Sequence, residues 1–167
     1  MPVPEKRAGV RCERAAYNCV AQAYSRGQAV GQQDNQKPSP EGRSRYFVRE
    51  QDVPGYHPAN HVGTTNRRLI GRENVGARNL EVILGVIERG KGALPHAHPG
   101  IEQVCYMLAG RARVEVGGET CEIGPQECCF LPADVPHTFT VVSEEPVRVL
   151  VIYSPPYEEN PARVVRG

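Results

Sequence analysis

GKGALPHAHPGIEQVCYMLAG, residues 90 to 110, sets two histidines one residue apart just before an apolar run that closes on a glycine. In extended chain, side chains i and i+2 point to the same side, so His96 and His98 offer two imidazoles to one point in space. Such a pair is a metal-site candidate, and it needs a third donor nearby and a fourth from elsewhere. Glu102 and Gln103 follow directly, and His137 lies beyond further strand-like runs.

The surrounding chain has the texture of a container for those residues. Short β-rich runs recur at 46–49 (YFVR), 67–71 (RRLIG), 80–88 (LEVILGVIE), 103–109 (QVCYMLA), 112–116 (ARVEV), 120–123 (TCEI), 128–131 (CCFL), 138–142 (TFTVV) and 147–153 (VRVLVIY). Between them stand Gly117-Gly118, Gly124-Pro125, Pro132 and Pro136, all residues that punctuate turns. Short strands, tight turns and no long helical period predict an all-β sandwich or barrel. The clearest hairpin is ARVEV-GG-ETCEI, since Gly-Gly takes the positive φ values of a two-residue turn. Alternation puts Gln103, Cys105 and Met107 on one face and Val104, Tyr106 and Leu108 on the other. Which face looks at the histidines stays open, because the turn before Glu102 can reset the phase.

At 167 residues the chain is long enough to bury a core without disulfide staples. A net charge of +1 gives no reason to expect nucleic acid or an anionic membrane as partner. Residues 1–42 are read as a flexible or loosely docked extension, polar and rich in Gly, Gln and Pro over 27–42, and 43–167 as the folded domain. The six cysteines form no CxxC pair and the first 30 residues contain no apolar export segment, so reduced thiols and a cytoplasmic location are expected. No run approaches a membrane span.

The spacing resembles that of the cupin superfamily, in particular its small single-domain members of the cupin 2 type. The first cupin motif, G-x5-H-x-H-x(3,4)-E-x6-G, is matched by Gly90, His96, His98, the Glu102/Gln103 pair and Gly110. The second, G-x5-P-x-G-x2-H-x3-N, is matched by Pro132 and His137, with Gln126 and Asp134 in place of its glycines and Val141 in place of its asparagine. The resemblance covers roughly residues 66–153 and implies a jelly-roll β-barrel with a metal held inside. For the third ligand, the count forward from His98 selects Glu102 and the count back from Gly110 selects Gln103. The strand preceding Gly110 is regular whereas the gap after His98 is a loop, so Gln103 is preferred.

The implied site is therefore His96, His98, Gln103 and His137 around a divalent transition metal, with Zn, Fe, Mn, Ni or Cu all compatible. Glu102 is the nearest candidate general base. Arg67 and Arg68 are adjacent on a strand, so one faces inward and could clamp a substrate carboxylate; Cys105 and Met107 are candidates for lining the cavity beside Gln103. His57 and His61, in GYHPANH, stand four apart, but the neighbouring prolines oppose a helix and an ordered loop or subunit contact is expected. The resemblance implies a metal-dependent enzyme for a small oxygen-rich metabolite, of isomerase, lyase or dioxygenase type; the alternative is a non-catalytic metabolite-binding cupin. It further implies a homodimer that exchanges residues 45–71.

Overall fold

The computed structural model describes residues 44–58, 61–160 and 164–166, all within the compact unit Pro38–Gly167. The extension read over 1–42 lies outside the described residues. Strand β1 (His61–Ile70) leads through a single helical turn, α1 (Arg72–Val75), into the long β2 (Glu81–Ala97). Then follow β3 (Glu102–Ala109), β4 (Ala112–Val116), β5 (Glu119–Ile123), β6 (Cys128–Leu131), β7 (His137–Val141), β8 (Val147–Ser154) and the two-residue β9 (Val165–Arg166). All the pairings are antiparallel, in the order β5-β4-β7-β2-β8-β3-β6, with β1 and β9 also on β2. The sheet curls into a nearly closed barrel. No helix among the described residues is long and apolar enough to cross a membrane.

Alternation of apolar and polar side chains drives the curl. On β3, Gln103, Cys105 and Met107 are buried while Glu102, Tyr106 and Leu108 are exposed, which settles the phase of that strand. On β4, Ala112 and Val114 turn inward and Arg113 and Glu115 outward. Inward side chains from β2, β3, β4, β6, β7 and β8 form one apolar cluster that includes Ile87, Met107, Val114, Leu131, Phe139 and Val149. Burying each of the larger ones contributes roughly 1.5–3 kcal/mol before entropy is counted. The predicted hairpin joins β4 to β5 through Gly117 and Gly118, at φ 56° and 89°.

Strand β2 is shared by both walls. Its first part, Glu81 to Ile87, pairs with β8, and its later part, Gly92 to His96, pairs with β7. The corner between them passes through Gly92, at φ 151°, where a Cβ would stand 1.8 Å from the Phe139 carbonyl oxygen. Only glycine lets the two backbones approach that closely.

Two predicted features differ. Residues 46–49 have strand composition but do not form a strand, and Tyr46 and Phe47 are 67% and 74% exposed. The strand read from Arg67 instead begins at His61. Its first half escapes the apolar pattern because the residues it buries, Thr64 and Asn66, are polar and face the barrel cavity.

Candidate metal centre

His96 on β2 and His137 on β7 are direct cross-strand partners, so strand pairing alone brings their rings side by side, 4.4 Å between centroids. His98 lies just past the end of β2, where its carbonyl accepts from the Asp134 and Ile101 amides at 3.1 and 3.3 Å. Its Nε2 is 3.2 Å from that of His96, and the ligand atoms of all three histidines lie within 4.8 Å of one another. Two nitrogens each about 2.1 Å from one ion stand roughly 3.0–3.4 Å apart at tetrahedral or octahedral angles, so this spacing suits a shared metal.

Hydrogen bonds assign which nitrogen is free. His96 Nδ1 donates to the Leu94 carbonyl at 2.6 Å and His137 Nδ1 to the Val135 carbonyl at 3.0 Å, leaving Nε2 of each ring with a lone pair turned to the cavity. Gln103 projects from the facing wall; its amide nitrogen donates to the Cys105 sulfur at 3.2 Å, which orients Oε1 as the remaining donor. Gln103 Oε1 and His137 Nε2 are buried with no hydrogen-bond partner, as is His61 Nδ1. A buried polar atom without a partner costs about 1–3 kcal/mol. Gln103 Oε1 and His137 Nε2 are the two that a cation held with His96 and His98 would satisfy, so the residues present fit a metal. The donors are neutral, so a bound divalent ion keeps its full charge.

His61 joins this group from β1. Its ring lies 6.1 Å from that of His96, and it lines the same cavity as His96, Gln103 and His137. Four of the chain's five histidines thus converge. Burial, reinforced by the His96 and His98 imidazoles, pushes His61 down to about 4; burial first, then His96, pushes His137 down to about 4 as well. Burial also lowers His96. Neutral imidazoles at pH 7 bind a metal with no proton to displace. The sequence reading placed His61 in a loop with His57. His57 does sit in the exposed stretch before β1, its Nδ1 2.9 Å from the Thr64 carbonyl oxygen, but His61 has entered the strand. A bulge between Val62 and Thr64, with Gly63 at φ 61°, resets the alternation so that His61, Thr64 and Asn66 all reach the cavity.

Several predicted site residues stand elsewhere. Glu102 is exposed on the face opposite Gln103, so strand alternation removes it as a base. Arg68 is the inward arginine, but the buried Glu81 carboxylate takes its Nε and Glu73 its Nη1, so it is no free clamp for a substrate. Arg67 alternates outward, opposite Leu84, and lines neither the cavity nor the smaller one beside it. Met107 is fully buried in the apolar cluster below the site, a packing residue. Cys105 does line the cavity.

Apolar side chains, among them Ile83, Leu131, Phe139, Val149 and Val151, form the rest of the cavity wall. A smaller cavity that shares His61, His96 and Tyr153 with it is more polar and is also lined by His98, Tyr157 and Glu159. Tyr157 and Glu159 lie beyond the last predicted strand, in a segment with no periodic signal. Among described residues, no lysine or arginine lines either region.

Residues 83–153 match the cupin domain family. Among curated proteins, the chain is 30% identical over 104 residues to "Polyketide synthase CurC" of Streptomyces cyaneus, covering 62% of this chain and 68% of that protein. Among solved structures, the polyketide cyclase RemF from Streptomyces resistomycificus aligns with TM-score 0.57 and 28% identity, over 65% of this chain and 78% of its own. KdgF from Halomonas sp. aligns with TM-score 0.59 and 20% identity, over 68% and 97%, a likeness of fold.

Proposed function

This chain belongs to the cupin family, and from that premise we propose that it is a metal-dependent enzyme whose substrate presents carbonyl or enol oxygens on a largely apolar body. The observation that carries the reading is the clustering of three histidine nitrogens beside a largely apolar cavity that the unpartnered Gln103 oxygen also lines. His96, His98, Gln103 and His137 would hold the ion, with His61 beside them. A bound divalent metal supplies Lewis acidity, polarising a carbonyl and favouring its enolate form.

The walls narrow the substrate. A uronate or other polyhydroxylated acid needs hydrogen-bonding partners along its length and a cation for its carboxylate. Among described residues the inner wall offers no lysine or arginine for the carboxylate, and away from the histidines and Gln103 its polar side chains are few, Thr64, Asn66 and Tyr153 among mainly apolar neighbours. A 1,3-dicarbonyl compound needs only oxygen ligation at one end and apolar contact elsewhere. The likeness to a protein named as a polyketide synthase and to a polyketide cyclase supports this class of substrate, and aldol-type ring closure is the reaction that enolate chemistry then permits.

Metal analysis of purified protein tests the first half: about one transition-metal ion per chain, lost when His96 and His98 are both replaced by alanine. Metal content indifferent to that double replacement would sink the proposal. A panel of β-dicarbonyl compounds, uronates and hydroxy acids, followed for product and oxygen uptake, tests the second. Turnover confined to β-dicarbonyls is expected; binding that leaves every compound intact identifies a binding module instead.

A further inference from the structure

Glu102 being turned to solvent, the proposed chemistry needs a proton acceptor from elsewhere. Among described residues, Glu159 is the only carboxylate lining either cavity, sharing the smaller one with His61, His96, His98 and Tyr157. The Tyr56 hydroxyl donates to its Oε1 at 2.7 Å. Tyr56 is held in turn by reciprocal backbone bonds to Asn66 on β1, at 2.9 and 2.8 Å, and by the Arg68 guanidinium over its ring at 5.6 Å.

The segment that carries Glu159 is also tied down. Glu81, 1% exposed, accepts from the Tyr157 and Glu158 amides at 3.0 and 2.9 Å through one oxygen and from Arg68 through the other. Glu158 and Glu159 both have positive φ, 57° and 52°. Two consecutive non-glycine residues in that region persist only where surrounding bonds hold them, and such strain concentrates at functional sites.

We propose that Glu159 is the general base of the reaction, positioned by Tyr56 and by the Glu81–Arg68 pair. The inference rests on the Lewis-acid reading above. The step balances simply: a C–H bond between the two substrate carbonyls breaks, its proton passes to a Glu159 oxygen, and its electron pair moves into the enolate. No external oxidant or reductant enters. Burial raises the Glu159 carboxyl above its ordinary value, while the Tyr56 hydrogen bond and the Arg68 charge act the other way and Glu81 adds to the rise. A carboxylate made more basic in this way is better suited to take a proton from carbon.

The test uses full-length zinc-loaded protein and ethyl acetoacetate in D2O, with loss of the C2–H signal followed by NMR and bound zinc measured in the same samples. The wild type is expected to exchange faster than its zinc-stripped form. Glu159→Gln is expected to slow exchange by at least about 100-fold at unchanged zinc content. Tyr56→Phe removes a donor that favours the carboxylate, so the acid limb of its exchange profile moves to higher pH, a shift that a purely structural role would not produce. Wild-type exchange in zinc-bound Glu159→Gln, or an unmoved limb in Tyr56→Phe, overturns the assignment to Glu159 alone. A wild type that holds no zinc, or holds it without accelerating exchange, overturns the Lewis-acid reading and the base with it.

Discussion

Two residues that stand where the cupin pattern has glycine show what a single position must do here. Gln126 and Asp134 both adopt positive φ, 71° and 65°, so the backbone keeps the left-handed conformation although the glycines are gone. A non-glycine residue there costs on the order of 1 kcal/mol. Gln126 is exposed and contributes a backbone bond, its amide donating to the Met107 carbonyl at 3.0 Å, which glycine would preserve. Gln126→Gly is therefore expected to raise the unfolding free energy by roughly 0.5–1 kcal/mol, read as a higher urea midpoint at unchanged slope. Asp134 behaves differently, because its Oδ1 accepts from the Gly100 amide at 3.3 Å across the turn that presents His98. Asp134→Gly relieves the same strain but frees that turn, so it is expected to weaken zinc retention without a matching gain in stability. A Gln126→Gly protein less stable than wild type would show that its side chain has a role beyond the backbone.

At the scale of elements, the barrel depends on β2 turning the corner from one wall to the other. Gly92→Ala places a methyl group 1.8 Å from the Phe139 carbonyl oxygen, against backbone and not a flexible side chain. The strand pairing that sets His96 opposite His137 lies a few residues further along the same ladder. Gly92→Ala is expected to cost more than about 3 kcal/mol and to abolish metal retention, as read by chemical unfolding and metal analysis. Near-native stability would mean that the β2–β7 pairing can shift without loss. Elements whose buried face is apolar were legible: β3, β4, β7 and β8 fall where alternation puts them, and the phase of β3 alone turns Gln103 inward. The first half of β1 was not, because its inward residues are polar and the Gly63 bulge breaks the period-2 rule that would have paired His61 with the site. Glu159 was illegible for another reason: it reaches the site from a segment held by hydrogen bonds to Glu81, and nothing in its own neighbourhood is periodic.

At the scale of the whole molecule, the outer face of the β8-β3-β6 wall is unusually apolar. Tyr106, Leu108 and Phe130 are 38%, 41% and 52% exposed, and Val104, Leu150 and Ile152 lie between them on the same outward register. Its charged side chains, Glu102 and Arg148, stand at opposite ends of the strands, and the apolar middle can meet a second copy of itself across a two-fold axis. We propose that the homodimer implied by the cupin resemblance forms there. Tyr46 and Phe47 are also exposed, and Glu50, three residues after Phe47, pairs with Arg148 of β8 at 2.9 Å. Light scattering on the eluted protein is expected to give twice the monomer mass. Tyr106→Glu combined with Phe130→Lys would then give a monomer whose unfolding midpoint, at matched protein concentration, falls only by the lost association term. The metal should stay bound in that monomer, because all four ligands come from inside one barrel. A wild-type monomer at micromolar concentration would refute the dimer, and a double variant that stays dimeric would move the interface to another face.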